Sequence, residues 1–138
     1  MKNFKVTDDM LNRNGKLRIK LKKVTGDLDC SDTKLASLKG TPKKVGGDFS
    51  CSDTQIISLQ GAPKKVGGYF LCCRTNITDL KGAPKKVGGD FWCSKTQITD
   101  LKGAPKEVGG DFFIYKAGRQ FTEEEVRAVC DVKGKIFV

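Results

Sequence analysis

Apolar and polar positions along the chain repeat every 21 residues, and five columns of apolar residues hold the same place in successive units. The columns are Val24, Val45, Val66, Val87 and Val108; Leu28, Phe49, Phe70, Phe91 and Phe112; Cys30, Cys51, Cys72, Cys93 and Ile114; Leu35, Ile56, Ile77 and Ile98; and Leu38, Leu59, Leu80 and Leu101. A unit of this length is too small to bury its own apolar face, so such units stack and share one core. The period therefore predicts a solenoid.

Each unit contains one segment with the pattern of a short strand. In "DFWCSKTQITDL", Phe91 and Cys93 alternate with Trp92 and polar residues, which is the period of two expected for a half-buried strand. The return segment "KGAPKKVGG" carries Pro84 and the Gly88-Gly89 pair, which argue against a helix or a central strand there. We therefore expect a β-rich solenoid with a single parallel sheet of about five stacked 21-residue coils.

The chain is expected to form one domain, with a cap at each end that shields the terminal coils. The boundaries are 1–138 for the domain, 1–23 for the N-terminal cap, 24–117 for the repeats and 118–138 for the C-terminal cap. In the N-terminal cap, Asn14-Gly15 predicts a hairpin turn. The alternation in "KLRIKLKKV" then predicts a strand whose apolar face is formed by Leu17, Ile19 and Leu21.

The C-terminal cap carries the start signals of a helix, which we expect at about 122–132. Thr122 is the predicted N-cap, Glu125 completes a capping box, and Phe121 is placed to pack on Val126. The face that covers the last coil is expected to consist of Val126, Val129 and Cys130. The closing "GKIFV" is expected to form an edge strand.

The repeats resemble a known family. "FSCSDTQIISL", "FLCCRTNITDL" and "FWCSKTQITDL" fit the leucine-rich-repeat pattern L-x-L-x-x-N-x-L-x-x-L, although threonine stands at the asparagine position and Val-Gly-Gly replaces the first leucine. Residues 24–138 also resemble the leucine-rich-repeat-like proteins of tailed bacteriophages, with their "GAPKKVGGDFxCS" cassettes and "FTEEEVRAVxDVKGxIFV" tail. The resemblance implies a leucine-rich-repeat-like solenoid that is made in the cytoplasm of a bacterial host and acts on a host factor.

Composition narrows the function classes. The chain has no histidine, which removes the most common general base and metal ligand. No column places a nucleophile beside a base, so we expect a non-enzymatic protein without a cofactor. The chain shows neither an apolar leader nor an apolar run long enough to span a membrane, and its six cysteines lack an oxidising context. These features favour a cytoplasmic protein with reduced thiols.

Two columns invite a metal hypothesis, which the pattern does not favour. Because Ile114 replaces cysteine in the fifth coil, the cysteine column is interpreted as core packing. Cys73 is the exception, since it holds an outward position and is expected to be an exposed thiol. One aspartate per coil does not build a calcium site, so the column is interpreted as a solvated ladder; it consists of Asp27, Asp48, Asp90 and Asp111, with Tyr69 in the third place.

The net charge of +10 includes lysine pairs that recur in three successive return segments. They are Lys43-Lys44, Lys64-Lys65 and Lys85-Lys86, with Lys39, Lys81 and Lys102 nearby. Such a stripe could neutralise phosphates. Glu107 interrupts it, however, and no aromatic residues interleave with it to stack on bases. A solvated surface that protects a sheet edge and a nucleic-acid footprint therefore remain alternatives.

The positions that change most between repeats are the outward positions of the strands. They are polar in the first coils and become apolar and basic toward the C-terminus. The candidate partner-binding residues are Tyr69, Leu71, Arg74, Trp92, Lys95, Phe113, Tyr115 and Lys116. A patch of this kind exceeds the isolated surface hydrophobes of ordinary monomers, and aromatic and arginine side chains are enriched as interface anchors.

The favoured hypothesis is a module that binds a partner protein, such as a host factor, through the outward face of its sheet. Two alternatives concern the patch itself: the C-terminal tail could cover it, or it could pair two copies of the chain. A nucleic-acid-associated protein that uses the lysine stripe is the alternative function.

Overall fold

The computed structural model describes residues 2–138 as a parallel β-solenoid of about six coils with one C-terminal helix, which confirms the predicted fold class. Each coil contributes very short strands, and their bounds are Phe4–Lys5 (β1), Leu28–Asp29 (β2), Lys44–Val45 (β3), Phe49–Ser50 (β4), Lys65–Val66 (β5), Phe70–Leu71 (β6), Lys86–Val87 (β7), Phe91–Trp92 (β8), Glu107–Val108 (β9), Phe112–Phe113 (β10), Asp131–Val132 (β11) and Ile136–Phe137 (β12).

The first sheet has seven parallel strands in the order β1-β2-β4-β6-β8-β10-β12. In the repeats, equivalent residues pair in register, so Phe70 lies between Phe49 and Phe91. The two end strands keep this register across a longer connection, since Phe4 pairs with Leu28 and Phe112 with Ile136, 24 residues apart in the chain. Each cap therefore adds its own strand to the sheet.

A second parallel sheet, in the order β11-β9-β7-β5-β3, was not predicted. Its strand β11 comes from the C-terminal cap, and the other four come from the return segments, where the proline and the glycine pair had argued against a central strand. That expectation was wrong because the pairing needs only two residues, Lys86–Val87, which lie after Pro84 and before Gly88. The valine of each strand is buried, and its backbone is tied to the neighbouring coils. Strands in both sheets thus connect each repeat coil to its neighbours.

The core is a set of stacked identical side chains. The buried rings of Phe49, Phe70, Phe91 and Phe112 follow one another at centroid distances of 5.2, 5.2 and 5.1 Å. Each large apolar side chain that is fully buried stabilises the fold by roughly 1.5–3 kcal/mol. A single coil cannot bury these side chains by itself, so this stabilisation is obtained only when coils stack.

The cysteine column packs in the core, as predicted. Its thiols are free and buried, and the Cys72 thiol donates to the Trp92 carbonyl oxygen of the next coil, with an Sγ–O distance of 3.3 Å. Burial raises the pKa of Cys30 to about 12, so this thiol stays protonated at neutral pH. A threonine follows each of these cysteines by three residues. The Thr75 hydroxyl donates to the Cys72 carbonyl oxygen at 2.8 Å, and the equivalent threonines of the other coils make the same hydrogen bond.

The expectation of an exposed Cys73 was wrong, since only 7% of its surface is accessible. Its column is buried in the neighbouring coils as well, with Ser52 and Ser94 at 5% and 1% exposed. The column lies where the strand ends and the chain bends, and the Cys73 N–H donates to Ser52 Oγ at 3.0 Å. The alternation of a strand therefore stops before this position.

The N-terminal cap confirms the turn but not the strand after it. The Gly15 N–H donates to the Asn12 carbonyl, and Leu11 and Leu17 form an isolated antiparallel bridge around the turn. Beyond Leu17 the chain is an irregular connection in which Ile19 is 71% exposed. The edge of the sheet is closed instead by β1, which follows no repeat column and precedes a short 3-10 helix at Asp8–Met10.

The C-terminal cap contains helix α1, Glu123–Val129. Thr122 is its N-cap and forms the predicted capping box with Glu125. The helix ends before residue 132 because Asp131–Val132 pairs with β9. Val126 and Cys130 are buried, whereas Val129 is 49% exposed, so its assignment to the apolar face was wrong. The terminal edge strand is confirmed as β12, and among residues 2–138 no helix is long and apolar enough to cross a membrane.

Stacking leaves no room for a side chain at the first glycine of each pair. A Cβ on Gly88 would collide with the carbonyl oxygen of Gly67 in the preceding coil. An alanine in an unstrained loop usually stabilises a protein slightly. We expect Gly88→Ala to do the opposite and to lower the free energy of unfolding by about 2 kcal/mol or more, because backbone must move. Chemical denaturation measures this, with the exposed Thr78→Ala as the control. An unchanged midpoint for Gly88→Ala would contradict the stacking argument.

Candidate partner-binding face

The outward positions of the first sheet form an apolar ridge at its C-terminal end. Trp92, Phe113 and Phe137 follow one another in register on β8, β10 and β12, and we call them the aromatic ridge. The Trp92 and Phe113 ring centroids are 3.6 Å apart, and the Phe113 and Phe137 centroids 4.6 Å apart, with nearly parallel planes. Leu71 continues the same column on β6. In the first coils the column is polar, with Asp29 and Ser50.

The C-terminal tail extends the ridge and does not fold over it. Strand β12 pairs beside β10, which places the Phe137 ring against the Phe113 ring. Phe137 was missed as a site residue because it lies 24 residues after Phe113, outside the 21-residue period. The predicted edge strand "GKIFV" was the signal that could have placed it. Phe137 remains 40% exposed and Tyr69 48% exposed, so the face is open to a partner.

A second column runs beside the ridge, where each strand ends and the chain bends. We call it the bend column; it consists of Asp32, Asp53, Arg74, Lys95 and Lys116, all with φ between 53° and 57°. This left-handed conformation is tolerated by aspartate but disfavoured by about 1–2 kcal/mol for most other residues. The three cationic residues of the column therefore carry backbone strain, and their side chains are exposed.

Arg74 is engaged within the chain. Its Nε and Nη2 atoms donate to both carboxylate oxygens of Asp53 at 2.6 and 2.7 Å, and these hydrogen bonds hold the pKa of Asp53 below its ordinary value. Lys95 and Lys116 make no ion pair with any residue in the described range 2–138. The unpaired positive charge of the bend column therefore lies in the last two coils, beside the aromatic ridge.

An open groove of about 370 Å³ separates the ridge from the bend column. Five of the eight predicted site residues line it: Leu71, Arg74, Trp92, Lys95 and Tyr115. Phe113 and Lys116 continue the ridge and the bend column in the fifth coil, and Tyr69 lies at the start of β6. The structure therefore brings all eight residues to one face. Along 2–138, no three histidine, cysteine or acidic side chains converge in a way that could hold a metal ion.

The groove also holds an unsatisfied hydroxyl that sequence reasoning missed. Ser94 is 1% exposed, and its Oγ has no hydrogen-bond partner among the described residues. Two coils earlier in the same column, Ser52 Oγ accepts the N–H of Cys73. A buried polar atom without a partner costs about 1–3 kcal/mol. The two serines differ in the residue that follows them in the column, which is Cys73 after Ser52 and Tyr115 after Ser94, but this difference does not by itself predict an unpaired hydroxyl.

The aspartate column is more than a solvated surface. Asp48 Oδ1 accepts the Tyr69 N–H from the next coil at 2.8 Å, and the same bond recurs from Asp48 to Asp27, from Asp111 to Asp90 and from Lys135 to Asp111. In the first coil, Asn3 Oδ1 accepts the Asp27 N–H at 2.8 Å. Tyr69 has no oxygen that can take this place, so the ladder is interrupted in the coil where the face becomes apolar.

The lysine columns lie on another part of the surface, on the second sheet. Lys44, Lys65 and Lys86 pair in direct register, and the next position is Glu107, 3.9 Å from the Lys86 ammonium. The interpretation that these lysines protect a sheet edge was wrong for Lys65 and Lys86, which lie on central strands, whereas Lys44 does lie on the edge strand β3. The three lysine side chains are exposed.

Comparison with known proteins does not add a function. No protein-family model, no curated protein and no solved structure matches this chain. The assignment of function therefore depends on the geometry of the face.

The interrupted ladder can be tested through stability. In Tyr69→Asn the amide oxygen can accept the Asp90 N–H, as Asn3 does for Asp27, whereas Tyr69→Ala cannot. We expect the free energy of unfolding of Tyr69→Asn to exceed that of Tyr69→Ala by about 1 kcal/mol. Chemical denaturation of both variants measures the difference. Equal stabilities would show that the ladder bond contributes nothing at this coil.

Proposed function

We propose that this protein is a non-enzymatic module that binds a partner protein through the outward face of its first sheet. The observation that supports this most directly is the aromatic ridge, a row of stacked rings on a face whose first coils are polar. Aromatic side chains supply large contact area at low entropic cost, and contiguous apolar surface is uncommon on monomers without a binding role.

The stacking of the ridge favours a protein partner over single-stranded nucleic acid on this face. Base recognition on such platforms uses the flat faces of aromatic rings. In the ridge these faces are turned toward one another, with Phe113 between Trp92 and Phe137. Both faces of the Phe113 ring are therefore covered, and its exposed edge suits the side chains of a protein surface.

The absence of enzymatic activity remains part of the proposal. The buried cysteines are poor nucleophiles because burial raises their pKa, to about 12 for Cys30 and about 11 for Cys130. The chain has no histidine to act as a base. The resemblance to leucine-rich-repeat-like proteins of tailed bacteriophages supports a host factor in the bacterial cytoplasm as the partner, and a second copy of the chain is the other partner that the face could accept.

If the partner binds through the ridge, removing the ridge should abolish binding without changing the fold. Trp92→Ala combined with Phe113→Ala removes most of the ridge, so pull-down of the partner from bacterial lysate should fall to background. The circular dichroism spectrum should be unchanged, because neither side chain is in the buried core. Ile57→Ala is the matched control, since Ile57 is 71% exposed but lies outside the face. Full recovery of the same partner by the double variant would overturn the proposal, and analytical ultracentrifugation distinguishes self-association.

A second candidate function uses the lysine columns of the second sheet, and one observation favours it. Lysines that lie directly opposite one another in adjacent strands repel and so destabilise a sheet. Lys44, Lys65 and Lys86 nevertheless lie opposite one another on three successive strands. An array of this kind could neutralise the phosphates of a nucleic acid laid along the solenoid axis.

For the second candidate, affinity for double-stranded DNA or RNA should fall steeply with salt concentration. Replacement of Lys64, Lys65, Lys85 and Lys86 by glutamate should abolish it, because each lost phosphate contact also removes counterion release. Fluorescence anisotropy with labelled duplexes measures both effects. The absence of binding at low salt would exclude this candidate, and the result is independent of the ridge variants.

A further inference from the structure

The bend column has a local charge imbalance that the chain does not correct. Arg74, Lys95 and Lys116 lie in successive coils, and neighbouring coils in such a stack are about 4.8 Å apart. Asp53 satisfies Arg74 from the N-terminal side. Lys95 is left between two other cations, and no carboxylate among residues 2–138 pairs with it or with Lys116. An anionic group placed here would be stabilised by both lysines.

Backbone strain coincides with this imbalance. Arg74, Lys95 and Lys116 adopt φ values of 53°, 56° and 54°, in a region where aspartate, as at Asp32 and Asp53, is tolerated better. The conformation itself belongs to the coil, since all five members of the column share it. The lysines therefore occupy positions that the backbone does not favour for them, and such residues are often found at binding sites.

The neighbouring groove supplies the other half of a recognition site. Leu71 and Trp92 form an apolar wall, and Tyr115, Arg74 and Lys95 also line the groove. Of the two acidic residues that line it, Asp53 is paired with Arg74 and Asp32 lies at the N-terminal end of the bend column, whereas Lys116 continues that column beyond the groove. Ser94 lines the same groove and is 99% buried, with an Oγ that lacks a partner within the described part of the chain. Its hydroxyl can donate to an acceptor that enters the groove. A volume of about 370 Å³ is at the small end of ligand sites, which span roughly 300–1,000 Å³, and suits a few side chains.

We propose, on the basis of the protein-binding function above, that the groove recognises an acidic segment of the partner in which an aspartate or glutamate lies next to an apolar residue. The carboxylate pairs with Lys95 and Lys116, the apolar side chain packs on Leu71 and Trp92, and an acceptor of the segment takes the Ser94 hydroxyl. The net charge of +10 attracts such a partner over longer distances.

The test uses the full chain and peptides as probes. A displayed random-peptide library is selected on the immobilised protein, and enriched sequences are synthesised without tryptophan. Trp92 is the only tryptophan of the protein, so its fluorescence reports directly on the groove during titration. The face variant is Lys95→Glu with Lys116→Glu. The matched control is Lys64→Glu with Lys85→Glu, which lowers the net charge equally on the return segments.

We expect the enriched peptides to carry an aspartate or glutamate beside an apolar residue and to shift the Trp92 emission. The face variant should bind them about tenfold more weakly or worse, and the matched control should bind them as the wild type does. Peptides in which lysine replaces the acidic residue should bind the face variant better than the wild type.

Three results would overturn the inference: enriched peptides without acidic residues, equal losses in the face variant and the matched control, or no enriched peptide at all. These results can be separated from failure of the proposed function. If non-acidic peptides bind the wild type and lose affinity with Trp92→Ala, the face binds protein but not an acidic segment. If the variant without the ridge still recovers the partner from lysate, the proposed function itself fails.

Discussion

The in-register stacking of coils is the constraint on which the rest of the structure depends. Each residue has its own counterparts in the two adjacent coils as its nearest non-local neighbours, so every column must tolerate contact with itself. Phenylalanine satisfies this by ring stacking, and aspartate by accepting an N–H from the next coil. Glycine is required where backbones approach so closely that a Cβ on Gly88 would meet the Gly67 carbonyl.

The same constraint explains why the face carries information about function. A column that only stabilises the fold is expected to keep one residue type, because the contact that this residue makes with its counterparts can then be repeated in each coil. Tyr69 gives up the ladder bond that Asp48 and Asp90 make, and Lys95 and Lys116 place unpaired like charges on strained backbone. These departures do not improve stacking. They lie on the coils that bear the aromatic ridge or, for Tyr69, on the coil just before it, which is the pattern expected where binding opposes stability.

The sequence predicted those features that depend on the period or on local signals, and missed those that depend on atomic geometry. The buried columns and the Thr122 capping box follow from residue spacing. The second sheet was missed because a strand of two residues, such as Lys86–Val87, is too short to show the alternation that marks a strand. Phe137 lies outside the 21-residue register, and the burial of Cys73 depends on where the strand bends. The pairing of Arg74 with Asp53 and the unpartnered Ser94 hydroxyl require side-chain positions that no pattern specifies.

The two charged surfaces need not compete. The lysine columns lie on the second sheet, whereas the ridge and the bend column lie on the first, so one partner cannot contact both without wrapping around the coil. Exposed charges separated by more than about 8–10 Å are largely screened at physiological salt, and each surface therefore acts locally. Lysines on the second sheet contribute to encounter rates through the overall field. For the proposed acidic segment, specificity would depend instead on the short-range fit of the groove, which Trp92, Lys95 and Ser94 line together.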